Sequence, residues 1–102
     1  MKTQEMLGKK VIVRCNRAGV FYGTLAEYDS ATREASLQDV RRIWYWNGAA
    51  SISQIAMEGV KDKKTSKLSV TVSEMSVMEV IELIPCTEEA IANLDSVSVW
   101  KM

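Results

Sequence analysis

Arg41-Arg42-Ile43-Trp44-Tyr45-Trp46-Asn47-Gly48-Ala49-Ala50-Ser51 is the stretch where this chain changes its structural period. Up to Trp46 the residues alternate as an extended strand does, which puts Arg42, Trp44 and Trp46 on one face and Arg41, Ile43 and Tyr45 on the other. Asn47 to Ala50 form a small-residue hinge. Ser51-Ile52-Ser53-Gln54 then matches a capping box, with Ser at the N-cap and Gln three residues on. Ile52, Ile55 and Ala56 repeat at helical spacing, and Gly59 is placed to end the helix. A strand that runs straight into a capped helix makes the domain α+β.

On the N-terminal side the pattern is that of strands. Lys9 to Asn16 reads as a first strand with Val11, Val13 and Cys15 on one face, closed by a turn at Asn16-Arg17-Ala18-Gly19. Val20 to Tyr28 reads as a second, and Gly23 in its middle predicts a bulge or bend. Asp29 to Arg33 supplies the next turn, and a third strand from about Glu34 to Trp46 completes an antiparallel meander. On the C-terminal side, Val60 to Lys67 reads as a Lys-rich solvated loop, Leu68 to Val72 as a short strand and Val77 to Ile84 as a longer one. Pro85 ends it, Thr87 caps a second helix with Glu88 and Glu89 in its first turn, and Ala90, Ile91 and Leu94 form its buried stripe. Ser96 to Trp100 closes as a short extended piece. The fold expected is one α+β domain over 1–102, a small bent antiparallel sheet or partly open barrel with two short helices.

Bulk composition narrows the function. The 102 residues suit one core, and 13 basic against 13 acidic residues leave no global field toward nucleic acid. The N-terminus has no apolar h-region and no run is long enough to span a bilayer, so a cytoplasmic protein with no membrane partner is expected. Cys15 and Cys86 form no C-x-x-C and read as reduced, buried thiols. With no histidine, the commonest general base and metal ligand are missing, so no metal site is expected. Neither nucleophile motifs nor phosphate-binding glycine loops occur. The expectation is a non-enzyme without a cofactor.

Binding chemistry concentrates in the opening stretch. Guanidinium forks match phosphate oxygens and indole faces stack on bases, so Arg41, Arg42, Trp44, Tyr45 and Trp46 are candidate ligand residues. Asn47, Gly48 and Ser51 would complete a cradle at the helix start, and Arg14 and Arg17 join if the sheet brings them near. The competing reading is structural: tryptophans at strand spacing pack a core or subunit interface, and arginines cover aromatic faces.

Two resemblances add to this. Gly23-Thr24-Leu25, Tyr28-Asp29 and Leu37-Gln38-Asp39 resemble the first motif of Sm-like proteins, although Arg33 stands where that family has an RNA-binding Asn. This implies a bent-sheet or barrel geometry rather than RNA binding. Over about residues 9–101, Val11 to Arg14, Ala18 to Gly23, Arg41 to Trp46 with Gly48 to Ser51, Glu79 to Glu82, Pro85-Cys86-Thr87 and Val99-Trp100 resemble a family of small phage and prophage proteins. In class these are similar to the anti-Thoeris and anti-CBASS sponges, symmetric oligomers that sequester cyclic nucleotide signals. The resemblance implies a phage-type homo-oligomer, in the host cytoplasm, that captures a small anionic nucleotide. The alternatives are an Sm-like RNA-binding ring and a structural or protein-inhibitor module with the Trp cluster as its interface.

Overall fold

A computed structural model describes residues 2–102. A single 3₁₀ turn at Thr3–Met6 leads into β1 (Lys10–Cys15), β2 (Gly19–Asp29) and β3 (Glu34–Tyr45). Helix α1 (Ile52–Glu58), β4 (Lys67–Leu68), β5 (Val72–Val77), β6 (Val80–Pro85) and α2 (Glu88–Asp95) follow. The six strands form one antiparallel sheet in the order β4-β3-β2-β1-β6, with β5 also paired to β3. The sheet is bent and open rather than closed into a barrel.

The bend has a local cause. Tyr22 pairs with Arg41 but Thr24 pairs with Gln38, so Gly23 alone faces both Asp39 and Val40. A Cβ on Gly23 would lie 2.9 Å from the Cβ of Val40, so only glycine lets the strands meet there. Asp39 absorbs the extra residue at φ 49°. The bulge expected at Gly23 is therefore present, with the inserted residue on β3. It also splits the outer edge of β3, whose first half pairs with β5 and whose second half pairs with β4.

Each sheet face carries its own apolar cluster. Val11, Val13 and Cys15 of β1 join Phe21, Leu25, Leu37 and Val40 on one face. Ile12, Tyr22 and Ile43 pack on the other against Ile55, Ala56, Leu68 and Leu94. Both helices cap as the sequence reads: Ser51 Oγ accepts from the Gln54 N–H at 3.2 Å and Thr87 Oγ1 from the Ala90 N–H at 3.1 Å. The Gln54 side chain reaches back to the Ala50 N–H (2.7 Å) rather than to Ser51.

The C-terminal strands depart from the sequence reading. The strand expected at Leu68–Val72 is two residues long, Val72–Val77 is a separate strand, and the long strand from Val77 is interrupted at Met78-Glu79. Glu79 turns the chain at φ 56°, a conformation costly for a non-glycine residue. Its carbonyl accepts from the Asn16 N–H (2.9 Å), and its carboxylate accepts two hydrogen bonds from Arg17, each 3.1 Å. Long-range contacts thus supply what the local sequence does not. Those Arg17 bonds, followed by one that the Asn16 side-chain amide donates to the same carboxylate (3.3 Å), hold the Glu79 carboxyl below its ordinary range.

Cys15 and Cys86 are both free and lie against opposite face clusters. Burial pushes the Cys86 thiol up from 9.0 to about 12, and burial also raises Cys15. The Tyr22 phenol moves up as well, first through burial and then through donating to Asp95 Oδ1 at 2.8 Å. For such groups the unfolded chain releases its proton at lower pH than the folded chain does. The stability these groups contribute is therefore level below pH 9, then falls as pH rises from 9.0 toward 12. Urea midpoints measured across that range should show the decline, and Cys86→Ala should make it shallower.

Candidate functional site

The opening stretch is divided by the sheet. Arg41 lies on the helix side with Ile43 and is buried. Its Nε donates to Ser69 O (3.0 Å), one terminal nitrogen to Leu94 O (3.1 Å), and the other to Ser98 O (3.3 Å) and Leu68 O (3.5 Å). Burial lowers its pKa, opposed by the charge of nearby Asp95. All three nitrogens of this guanidinium donate to the backbone, at β4 and the residue after it, at α2 and at the C-terminal segment. It ties these three together.

Arg42 lies on the opposite face, its guanidinium 4.6 Å over the Phe21 ring and donating to Ala18 O. It covers an aromatic ring while still lining two surface hollows. Arg14 pairs with Glu82 and Arg17 with Glu79, which fastens β1 and its turn to β6. The four arginines therefore do not converge on one site.

The hinge residues are likewise engaged with the chain itself. The Asn47 N–H donates to Ser66 Oγ (3.0 Å) and its Oδ1 accepts from the Gly48 N–H (3.0 Å). Gly48, at φ 84°, lies so close to Lys61 and Asp62 that a Cβ would collide with their backbone. The space glycine opens there is filled by the 61–62 loop. Ser51 caps α1. Trp46 follows the end of β3 and turns onto the helix-side cluster, so the expected row of Arg42, Trp44 and Trp46 loses its last member.

What remains exposed is an aromatic patch. A bulge between Ile43 and Tyr45 presents Trp44 outward, 61 % exposed, with Tyr45 beside it at 46 %. Trp100 stacks on Trp44 with centroids 5.3 Å apart and planes at 27°. It is brought there by the C-terminal strap: Val99 bridges Leu68 in parallel, and the Trp100 N–H donates to Leu68 O at 2.9 Å. The Lys67 ammonium sits 5.1 Å from the Trp100 ring, 5.5 Å from Trp44 and 5.8 Å from Tyr45. These distances are within the range of cation–π attraction. Among the described residues no carboxylate pairs with Lys67 or Arg42.

Sequence reasoning overlooked Lys67 and Trp100 as partners of Trp44. The missing signal is register: once Leu68 pairs with Ile43 and Val99 with Leu68, the three side chains must meet. The patch offers stacking surface and positive charge. Among the described residues no group of three His, Cys, Asp or Glu side chains is placed to hold a metal ion.

A family model described as a domain of unknown function, DUF6948, matches residues 8–94. The chain belongs to that family. The matched span contains all six strands and both helices but for the last residue of α2, so the DUF6948 core includes Trp44, Tyr45 and Lys67. Trp100 and the strap lie beyond it. No curated protein matches this DUF6948 chain. Among its described residues no helix is long and apolar enough to cross a membrane.

Proposed function

We propose that this protein binds a small anionic nucleotide without turning it over, with the base stacked on Trp44 and a phosphate drawn to Lys67. The observation that carries this reading is the exposed Trp44–Trp100 pair with an ammonium held against both rings and against Tyr45. A nucleotide is a small ligand that presents a π face and a negative charge together. The pair is in mutual contact, so a base has no slot between the rings and stacks on the outer face of Trp44. Arg42, on the same side of β3, adds a second cation at the edge of the platform. Arg41 contributes indirectly, by fixing the strap that carries Trp100. The resemblance to phage anti-defence sponges makes a cyclic nucleotide immune signal the ligand class of choice, captured by affinity and slow release.

Calorimetry against cyclic di- and trinucleotides and cyclic ADP-ribose isomers tests this. At least one should bind well below ~10 μM, corresponding to more than ~7 kcal/mol of binding free energy. Silence across the panel at that level overturns the reading.

The exposure of Trp44, Tyr45, Val99 and Trp100 on one surface supports a second reading, in which this patch is an interface in a homo-oligomer. Sedimentation separates the two. An interface predicts that Trp44→Ala changes the oligomeric state, and a nucleotide platform predicts that it does not.

A further inference from the structure

Next to the aromatic platform the Lys61–Lys67 loop and the C-terminal strap enclose a groove of about 430 Å³, lined by Lys63, Lys64, Ser66, Ser96, Ser98 and Trp100. We infer that this groove binds the phosphoryl groups of the ligand whose base stacks on Trp44; the inference rests on the nucleotide reading and names its second subsite.

The groove's lining holds two ammonium groups and three hydroxyls, and no carboxylate. The acids nearest in sequence are turned elsewhere. Asp62 Oδ1 accepts from the Thr65 N–H at 3.2 Å, and Asp95 Oδ1 accepts the Tyr22 hydroxyl at 2.8 Å. The loop is ordered on its inner side, where the Ser66 hydroxyl donates to Asp62 O (2.7 Å) and the Asn47 N–H donates to Ser66 Oγ. Lys63 Nζ reaches across to Ser96 Oγ at 3.1 Å, so loop and strap are already bridged by a donor that an oxyanion can share.

The main obstacle to an anion here is the C-terminal end of α2, whose carbonyls carry partial negative charge. That obstacle is removed by bonding. Leu94 O accepts from Arg41, and Asn93 O accepts from the Ser96 N–H (3.1 Å) and the Ser96 hydroxyl (2.6 Å). Arg41 also donates to Ser98 O, which places a positive charge behind the strap, offset in part by the charge of nearby Asp95. Two other hollows lack this balance. The one along β2, β3 and β5 is lined by Glu27 and Glu74, and in the one beside Phe21 the Glu79 carboxylate occupies Arg17.

The test is NMR titration of the protein with pyrophosphate, ADP and adenosine, followed at the amides of residues 61–67 and 96–100. Pyrophosphate should shift both segments in the wild type. Lys63→Gln with Lys64→Gln should weaken pyrophosphate and ADP at least five-fold and leave adenosine unchanged. The same charge change at Lys2 and Lys9, away from the groove, should have no effect. If pyrophosphate leaves the two segments unmoved, or if both double variants weaken it equally, the groove is not a phosphoryl site. Failure of the nucleotide reading looks different: pyrophosphate then shifts the groove while ADP binds no better than pyrophosphate and adenosine leaves Trp44 undisturbed.

Discussion

Arg41→Met is expected to destabilise the protein by about 3 kcal/mol, because it leaves the Ser69 and Ser98 carbonyls with no donor in place of the guanidinium and takes one of two donors from Leu68 O and Leu94 O. A domain of this size loses roughly 4–8 °C of melting temperature per kcal/mol, so the midpoint should fall by roughly 12–24 °C. Exchanging both members of a buried ion pair for apolar groups is often harmless, but that compensation is missing here. The partners of Arg41 are the backbone oxygens of Leu68, Ser69, Leu94 and Ser98, which no side-chain substitution removes. Arg41→Lys should recover part of the loss, since one ammonium cannot span acceptors on three segments. Urea unfolding followed by tryptophan fluorescence measures both variants. A midpoint unchanged in Arg41→Met would show that the three segments hold together without it.

Trp44→Ala is expected to weaken nucleotide binding by roughly 5- to 150-fold, the equivalent of the ~1–3 kcal/mol that a base gains by stacking on an aromatic ring. The same change should leave the melting temperature nearly where it was, because Trp44 lies mostly in solvent. Trp46→Ala gives the opposite pattern: Trp46 packs on the helix-side cluster, so stability drops while the platform keeps its stacking face. Calorimetry and thermal melts on the two variants read both effects. Loss of affinity in Trp46→Ala alone would place the ligand elsewhere.

The strands and caps were legible wherever the signal is local. Val11, Val13 and Cys15 share a face because alternation is a property of any strand, and Ser51 and Thr87 cap because their hydroxyls reach N–H groups three residues on. The Gly23 bulge was visible, but its inserted residue on β3 was not, since a lone glycine does not say which strand carries the extra residue. The β5–β6 turn escaped detection for a related reason. Met78-Glu79 has no Gly, Asn or Pro, and Glu79 holds its left-handed conformation through Arg17 and Asn16, more than sixty residues away. In the candidate site, alternation separated Arg41 from Arg42 correctly and left open which of them turned inward. Ile43 was the available clue, because a residue two places from Arg41 shares its face and Ile43 belongs in a core. Lys67 and Trp100 lay beyond reach of any local pattern.

The two apolar clusters lie on opposite faces of the same strands: β1 gives Val11 and Val13 to one and Ile12 to the other, β2 divides Phe21 and Tyr22, and β3 divides Val40 and Ile43. Neither layer can lose its strands without taking the other apart. Unfolding is therefore expected to be a single all-or-none event, in which Cys15 accessibility and the fluorescence of Trp46, read in a chain with Trp44 and Trp100 replaced by Phe, probe the two different layers and share one midpoint.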